Sequence, residues 1–150
     1  MALLWDLDNV TAGRAHIQSL AKALSSFVQP GAPRIAAARR STYRLTREPL
    51  ASAGIRLLSG GRQRDGADRI LIQQAQALNA MGVRTFYVAS NDHRFQRIAD
   101  FAALHVLTLD GTPTSQRLHQ RARTVTALTR DDDGHWRRRR RSPRRDQLRL

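Results

Sequence analysis

The chain has 150 residues, a net charge of +14, 41% hydrophobic residues and no cysteine. This length suits one domain with a core of its own and a short tail. The lack of cysteine excludes a disulfide scaffold, a thiolate zinc site and a cysteine nucleophile, which leaves oxygen and imidazole groups as metal ligands. No apolar run is long enough for a bilayer, and the opening residues 1–5 lack the basic lead of a secretory signal, so we expect a cytoplasmic protein without membrane contacts.

Nearly all of the positive charge is arginine, because Lys22 is the only lysine. A GC-rich genome would explain the ratio of arginine to lysine but not the large net charge. Arginine binds phosphate groups with two parallel hydrogen bonds. The charge therefore favours acidic partners.

Short apolar runs alternate with longer amphipathic ones, which is typical of an α/β protein with a parallel sheet covered by helices. We predict strands over residues 3–7, 34–38, 55–59, 84–89 and 105–109. The predicted helices cover about residues 14–28, 42–53, 67–81 and 94–104. The expected product is a five-stranded parallel sheet in the order 3-2-1-4-5, with flanking helices.

After residue 110 the apolar pattern weakens. Residues 111–129 are polar and dotted with arginine, and they could form one last helix. We place the domain at residues 1–129, with its core in 2–110, and a tail at 130–150. The tail contains five consecutive arginines, 137–141, and we expect it to be disordered when unbound because it is too charged to pack.

The first predicted strand ends in Asp6-Leu7-Asp8-Asn9. The carboxyl ends of parallel strands line the ligand crevice of an open sheet, which would place Asp6 at the rim of that crevice. A plain turn explains Asp8 and Asn9 nearly as well. It explains Asp6 less well, because a carboxylate at the end of a buried strand needs a compensating partner.

The fourth predicted strand also ends in polar residues, Ser90-Asn91-Asp92. Ser90 or Asp92 could simply cap the helix that follows. If the fourth strand lies beside the first, however, Asp92 meets Asp6 across one crevice. This pairing favours a functional site.

Asp68 stands in the first turn of the third predicted helix, where an acid also suits the helix dipole by about 0.3–1 kcal/mol. Helical spacing aligns Asp68 with Leu71 and Ala75, on the stripe expected to face the sheet. An acid that points inward is better explained by a site than by the dipole, which any exposed position would satisfy.

These three segments resemble the motifs of the NYN domain, a family of PIN-like nucleases, over roughly residues 2–109. The matching residues are Asp6-Leu7-Asp8-Asn9, Gly66-Ala67-Asp68 and Ser90-Asn91-Asp92-His93-Arg94-Phe95. The resemblance implies a PIN-like Rossmannoid fold of three layers and metal-dependent cleavage of RNA. It also implies that Mg²⁺ or Mn²⁺ is held by three catalytic aspartates, supported by neighbouring polar side chains. The catalytic and metal-binding residues would be Asp6, Asp68 and Asp92, and the supporting residues would be Asn9, Ser90 and Asp8.

One position departs from the family pattern, because Arg94 stands where a second aspartate often precedes the phenylalanine. A two-metal site needs several carboxylates, so the loss of one should weaken the second metal first. We therefore expect weak or single-metal activity. Asp8, Asp65 or Asp110 could replace the missing carboxylate.

The arginine-rich tail should add a sequence-independent hold on RNA phosphates. The basic loop after the third strand could touch the same backbone. The predicted RNA-binding residues are Arg62, Arg64, Arg94, Arg137, Arg138, Arg139, Arg140 and Arg141.

Two other functions compete with the ribonuclease, and the sequence also leaves a homodimer open. Asp6-Leu7-Asp8 resembles the nucleophile motif of haloacid-dehalogenase-type phosphatases, in which Asp6 would attack phosphorus. That chemistry normally also uses a lysine far downstream, whereas Lys22 lies in the first predicted helix. A non-catalytic RNA-binding adaptor on a degenerate NYN fold is the closer rival, because Arg94 and the basic tail both suit it.

Overall fold

The first apolar run forms the central strand of the sheet. In the computed structural model, which describes residues 1–63 and 65–142, all five residues of β1 (Ala2–Asp6) are buried. The other strands are β2 (Arg34–Ala38), β3 (Arg56–Ser59), β4 (Thr85–Ala89), β5 (Ala103–Leu109), β6 (Thr124–Arg130) and β7 (Trp136–Arg141). The helices are α1 (Ile17–Ser25), α2 (Arg40–Ser52), α3 (Gly66–Ala80), a 3₁₀ helix (His93–Asp100) and α4 (Gln116–Arg121).

Within the described residues the sheet has seven strands in the order β3-β2-β1-β4-β5-β6-β7. Neighbouring strands are parallel except β6 and β7, which are antiparallel. The α/β class and the predicted order of the first five strands are confirmed, but the prediction of five strands was wrong. The sheet continues past β5 because residues 124–130 pair with its open edge.

The segment predicted as a last helix contains both the short α4 and β6. Val125, Ala127 and Leu128 of β6 are buried. Threonine alternates with apolar residues from Thr124 to Ala127, which suits a strand and is the signal that the helix prediction missed. These residues form a strand and not a helix because the open edge of β5 offers them hydrogen-bond partners.

The prediction of a disordered tail from residue 130 was wrong for the described part of that segment. Residues 131–135 form a hairpin turn, and β7 then pairs with β6. The backbone of an arginine run can complete a sheet edge while its side chains stay at the surface, and charged side chains are common on edge strands. Arg144, Arg145 and Arg149, which belong to the same prediction, lie outside the described residues.

Helices cover both faces of the sheet and so make three layers. On one face, α1 and α2 pack on alternate strand residues such as Leu3 and Trp5. On the other face, α3, the 3₁₀ helix and α4 pack on the intervening residues, among them Leu4 and Phe86. No helix in the described residues is long and apolar enough to cross a membrane.

Two glycines bring α3 against the carboxyl edge of the sheet. A Cβ atom on Gly66 would lie 1.9 Å from the carbonyl oxygen of Gly60, and one on Gly60 would lie 2.5 Å from the backbone nitrogen of Ala67. The two backbone segments therefore touch in a way that no side chain permits. This contact directs the first turn of α3 toward the ends of β1 and β4.

Candidate metal centre at the carboxyl edge of the sheet

Asp6 is the last residue of β1, and its side chain is almost fully buried. Ser90, which follows β4 and is itself buried, donates a hydrogen bond from Oγ to Asp6 Oδ2 at 3.1 Å. The chain turns immediately after the strand, because the backbone N–H groups of Asn9 and Val10 both donate to the Asp6 carbonyl. The predicted positions of Asp6 and Ser90 at one strand edge are therefore as observed.

Asp68 lies in the first turn of α3 and is buried, as the helical stripe predicted. Its carboxyl group lies between those of Asp6 and Asp92 and interacts with both. The three predicted metal ligands thus come together in one cleft, which has a volume of about 540 Å³. The cleft is lined by Asp6, Asp8, Asn9, Arg39, Asp65, Ala67, Asp68, Asp92 and Arg94.

Asp92 is both a helix cap and part of the cleft lining. It is the N-cap of the 3₁₀ helix, where its Oδ1 accepts a hydrogen bond from the Arg94 backbone N–H at 2.9 Å. It also lines the acidic cleft. The cap leaves Oδ2 directed toward the cluster, where it lies 3.6 Å from the Arg94 guanidinium.

The acidic cluster of Asp6, Asp68 and Asp92 shows the electrostatic cost of gathering carboxyl groups. Burial, followed by repulsion from Asp68, raises the pKa of Asp6 from its ordinary 3.8 to about 8. Burial, and then Asp92, also raise the pKa of Asp68. Burial opposes ionisation of Asp92 too, but the hydrogen bonds from Arg94 and Asp68 outweigh it and lower its pKa. At neutral pH the cluster therefore favours an added proton or cation.

Arg94 supplies a cation from within the chain. Its Nη1 atom lies 3.0 Å from Asp68 Oδ2 and 3.2 Å from Asp65 Oδ1. The guanidinium is also near Asp92 and is still partly open to solvent. The residue that departs from the family pattern therefore does more than remove a carboxylate, because it places positive charge against the remaining ones.

Asp8 has a different main partner from the one that the resemblance implies. Its Oδ2 accepts a hydrogen bond from the Arg39 backbone N–H at 2.7 Å, and its Oδ1 accepts one from Thr42 Oγ1 at 2.7 Å. Both oxygens thus cap the start of α2 from a neighbouring loop, although the residue still lines the cleft. Capping by a distant residue has no local sequence signal.

Asn9 joins the two loops that carry the aspartates. Its Oδ1 accepts hydrogen bonds from both the backbone N–H and the side-chain Nδ2 of Asn91, at 3.2 and 3.1 Å. Asn91 Oδ1 in turn accepts from the hydroxyl groups of Thr108 and Thr114. Asn91 was not predicted as a site residue, and its only signal in the sequence is its place between Ser90 and Asp92.

Of the three proposed replacements for the missing carboxylate, Asp8 and Asp65 line the cleft and Asp110 does not. Asp110 instead pairs with Arg139 at 2.9 Å and approaches Arg141 at 3.8 Å. The hypothesis is therefore wrong for Asp110. Two arginines of β7, a segment that was predicted to be disordered, pair with that carboxylate instead.

The predicted RNA-binding arginines fall into different surroundings. Arg94 lies in the acidic cluster, Arg62 is exposed in the loop after β3, and Arg64 lies outside the described residues. Most of the arginines of β7 have partners within the chain. These contacts are Arg137 with Asp131 at 3.1 Å, Arg138 with the Phe27 ring at 3.8 Å, and Arg139 and Arg141 with Asp110.

A second group of metal-ligand types lies in the hairpin turn before β7. Asp131, Asp133 and His135 bring ligand atoms within 4.8 Å of one another, the only such group of three in the described part of the chain. Asp131 Oδ1 already accepts the backbone N–H groups of Asp133 and His135. These bonds are those of an ordinary Asx turn, so the hairpin needs no ion.

In the acidic cluster the carboxylate oxygens of the three aspartates do not all lie within 4.8 Å of one another, so they do not converge on one point. Its donor set is nevertheless the one that Mg²⁺ and Mn²⁺ prefer, since every donor is an oxygen. Burial, and then the neighbouring carboxyl groups, raise the pKa of Asp6 and of Asp68, so a cation in the cluster would stabilise their charged forms. The residues therefore fit a divalent cation, provided that Arg94 moves and the carboxylates close around the ion.

Comparisons with known proteins support the fold alone. No protein-family model matches the sequence, and no curated protein matches it at a significant level. A crystal structure of a protein of unknown function from Vibrio parahaemolyticus is similar, with a TM-score of 0.59 and 21% sequence identity. The match covers 89% of this chain and 93% of that one. The chain thus shares its α/β architecture, over nearly its whole length, with a bacterial protein of known structure.

Proposed function

We propose that this protein is a metal-dependent ribonuclease with a PIN-like fold, which hydrolyses RNA phosphodiester bonds at the acidic cluster. The observation that carries the proposal is the burial of Asp6 beside Asp68 at the end of the central strand. Two adjacent buried carboxyl groups cost folding free energy, whereas apolar residues of similar size would not. Such a cost is typical of a site whose geometry is needed for chemistry.

The cluster has the parts that such a reaction needs. Asp6, Asp68 and Asp92 would hold Mg²⁺ or Mn²⁺, and the Ser90 hydroxyl orients Asp6. A bound ion supplies Lewis acidity at the phosphate and lowers the pKa of an attacking water. The hydrogen bonds between Asn9 and Asn91 keep the two aspartate-bearing loops at a constant separation.

RNA as substrate is supported by the net charge of +14 and by the resemblance of the three motifs to NYN domains. A phosphatase with Asp6 as nucleophile is less consistent with the geometry. The Asp6 side chain is only 3% exposed, and Lys22 lies in α1 rather than among the residues that line the cleft. A nucleophile needs access to phosphorus, so these positions favour a metal-binding role for Asp6.

A second function, binding of RNA without cleavage, is favoured by Arg94. The guanidinium lies against Asp65 and Asp68 and near Asp92, where it neutralises part of the charge that would attract a metal. If this contact persists when RNA is present, the acidic cluster is a structural ion-pair network. The protein would then be an adaptor on the same fold.

The test is cleavage of an end-labelled single-stranded RNA by the purified chain with Mn²⁺ or EDTA. Asp6→Asn and Asp92→Asn should each reduce cleavage by at least about a hundredfold, because each removes a ligand worth several kcal/mol to the transition state. Asp100→Asn is the matched control, since Asp100 is exposed and pairs with Arg121 outside the cleft. RNA binding without Mn²⁺-dependent cleavage would reject the nuclease and support the adaptor.

A further inference from the structure

We propose that the RNA backbone approaches the acidic cluster through a neighbouring cleft lined by four arginines, which we call the arginine cleft. It is formed by the start of α2 and the loop after β3 and has a volume of about 410 Å³. The inference rests on the proposed function for the identity of its ligand. The lining residues are Arg39, Arg40, Ser41, Arg44, Gly61 and Arg62.

The charges of the arginine cleft are not neutralised within the described part of the chain. Arg40, Arg44 and Arg62 are exposed there and form no ion pair with a described residue. Arg39 has only a 3.9 Å contact with Asp8, a carboxylate whose two oxygens already accept hydrogen bonds. Among the described residues, no acidic side chain lines the cleft. Guanidinium groups repel one another, so four of them around one depression favour a multiply charged anion.

The backbone of the arginine cleft is held by hydrogen bonds between its two halves. The Gly60 N–H donates to the Ala38 carbonyl at 2.8 Å, and the Arg40 N–H donates to the Gly61 carbonyl at 3.2 Å. The arginines therefore project from a connected strand end, helix start and loop. A surface of this kind can hold successive phosphates at constant positions, which reduces the entropy lost on binding.

The position of the arginine cleft identifies a phosphodiester chain rather than an isolated phosphate. Arg39 lines both this cleft and the acidic one, so the two depressions adjoin at this residue, near the carboxyl edge of the sheet. A single phosphate in the arginine cleft would not reach the aspartates. A strand of RNA that crosses both would have its backbone neutralised at one point and a neighbouring phosphate presented at the other.

The arginines of β7 are a weaker candidate for this surface, although they are the longest basic run in the sequence. Arg137, Arg139 and Arg141 already pair with Asp131 or Asp110, and Arg138 stacks on Phe27. A phosphate would have to compete with these contacts. In the arginine cleft a phosphate meets no carboxylate from the described lining residues.

The experiment is fluorescence anisotropy with a labelled single-stranded RNA in EDTA, at several salt concentrations, so that binding is measured without cleavage. Arg40→Gln/Arg44→Gln should weaken binding at least tenfold and reduce the slope of log affinity against log salt by about 1.4, or about 0.7 per lost phosphate contact. The control is Arg56→Gln/Arg123→Gln, which removes equal charge from exposed positions at the amino ends of β3 and β6. We expect the control to change affinity less than twofold.

A single-stranded DNA of the same sequence distinguishes contacts to the phosphate backbone from contacts to ribose or bases. Equal losses on RNA and DNA are expected, since the arginines would bind phosphate. Equal losses in the cleft and control variants would overturn the inference, because only total charge would then matter. Circular dichroism of each variant checks that the fold is intact.

The assay also separates this inference from the proposed function. If the wild type cleaves RNA with Mn²⁺ while the cleft variants keep full affinity, the arginine cleft is rejected and the nuclease stands. If the cleft variants lose affinity but the wild type never cleaves, the nuclease is rejected and the RNA surface stands.

Discussion

The acidic cluster and strand β7 are both dense in charge, but their charges have different partners. In the cluster, buried aspartates face one another, and Arg94 neutralises them only in part. In β7 successive arginines point to opposite faces of an edge strand, and several contact carboxylates or an aromatic ring of the same chain. The carboxyl groups of the first region are only partly compensated within the fold, whereas most charges of the second have a partner.

The comparison teaches that density of charge in a sequence is a poor guide to a binding site. The five consecutive arginines are the most conspicuous basic run in the sequence, yet most of them have partners within the chain. The four arginines of the arginine cleft are scattered over residues 39–62 and are less conspicuous. What distinguishes a functional charge from a structural one is the lack of a partner within the fold.

The largest expected effect is a gain of stability on replacing Asp6. Burial, and then Asp68, raise the pKa of Asp6 from 3.8 to about 8, so the contribution of Asp6 to the free energy of unfolding is lost as pH rises from about 4 to 8. Asp6→Asn removes this loss and should raise the free energy of unfolding above pH 8 by on the order of 3 kcal/mol in EDTA. Urea denaturation at pH 5 and pH 9 measures the difference.

Asp110→Asn is the control from the β7 side of the comparison. Asp110 pairs with Arg139 and Arg141, and it is 39% exposed. Loss of the Asp110 charge should reduce the free energy of unfolding by less than about 1 kcal/mol. A loss of stability in Asp6→Asn at both pH values would mean that the Asp6 carboxylate is already well compensated, and the contrast between the two regions would fail.

A second effect tests whether β7 is held by its arginines. Arg141, only 11% exposed, donates to the carbonyls of Leu109 and Thr112 and to Thr114 Oγ1. Arg141→Gln should reduce the free energy of unfolding by about 2 kcal/mol, because it leaves these acceptors without their donor. Arg140→Gln is the neighbouring control, since Arg140 is exposed and has no ion pair with a described residue. Equal urea midpoints for the two variants would contradict a structural role for Arg141.

A similar effect tests how the acidic cluster is positioned. Gly66→Ala places a Cβ atom against the Gly60 carbonyl, so α3 must move. We expect the free energy of unfolding to fall by about 2 kcal/mol. Gly13→Ala is the control, because its Cβ would meet no atom within 4 Å. Urea denaturation and Mn²⁺ calorimetry together show whether Asp68 moves with the helix. Unchanged Mn²⁺ affinity in a destabilised Gly66→Ala protein would separate the cluster from the glycine contact.

The smallest expected effect concerns Arg94 as a competitor of the metal. Arg94→Gln should raise Mn²⁺ affinity by about tenfold, because the metal no longer displaces a guanidinium from Asp68 and Asp65. Arg97→Gln in the same 3₁₀ helix removes equal charge from an exposed position and should change affinity little. Isothermal titration calorimetry gives both values. Weaker Mn²⁺ binding in Arg94→Gln would show that Arg94 supports the site instead of competing for it.

Much of the fold and the three aspartates could be predicted from local patterns. Apolar runs and helical spacing located β1, β2, β4 and α3 to within one or two residues, and the inward stripe of α3 identified Asp68. The β6–β7 end of the sheet was not predicted. Whether residues 124–141 pair as strands depends on an edge that exists only after β5 has joined the sheet.

The sequence by itself determined the order of the elements as far as β5 and the strand-end positions of Asp6 and Asp92, because periodicity and turn chemistry are properties of neighbouring residues. Only the tertiary structure decided that Asp8 caps α2, that Arg94 enters the acidic cluster and that Asp110 serves β7. Each of these depends on which distant segments meet in space. A charged side chain reaches far enough to choose among several partners, so its role follows from the packing around it.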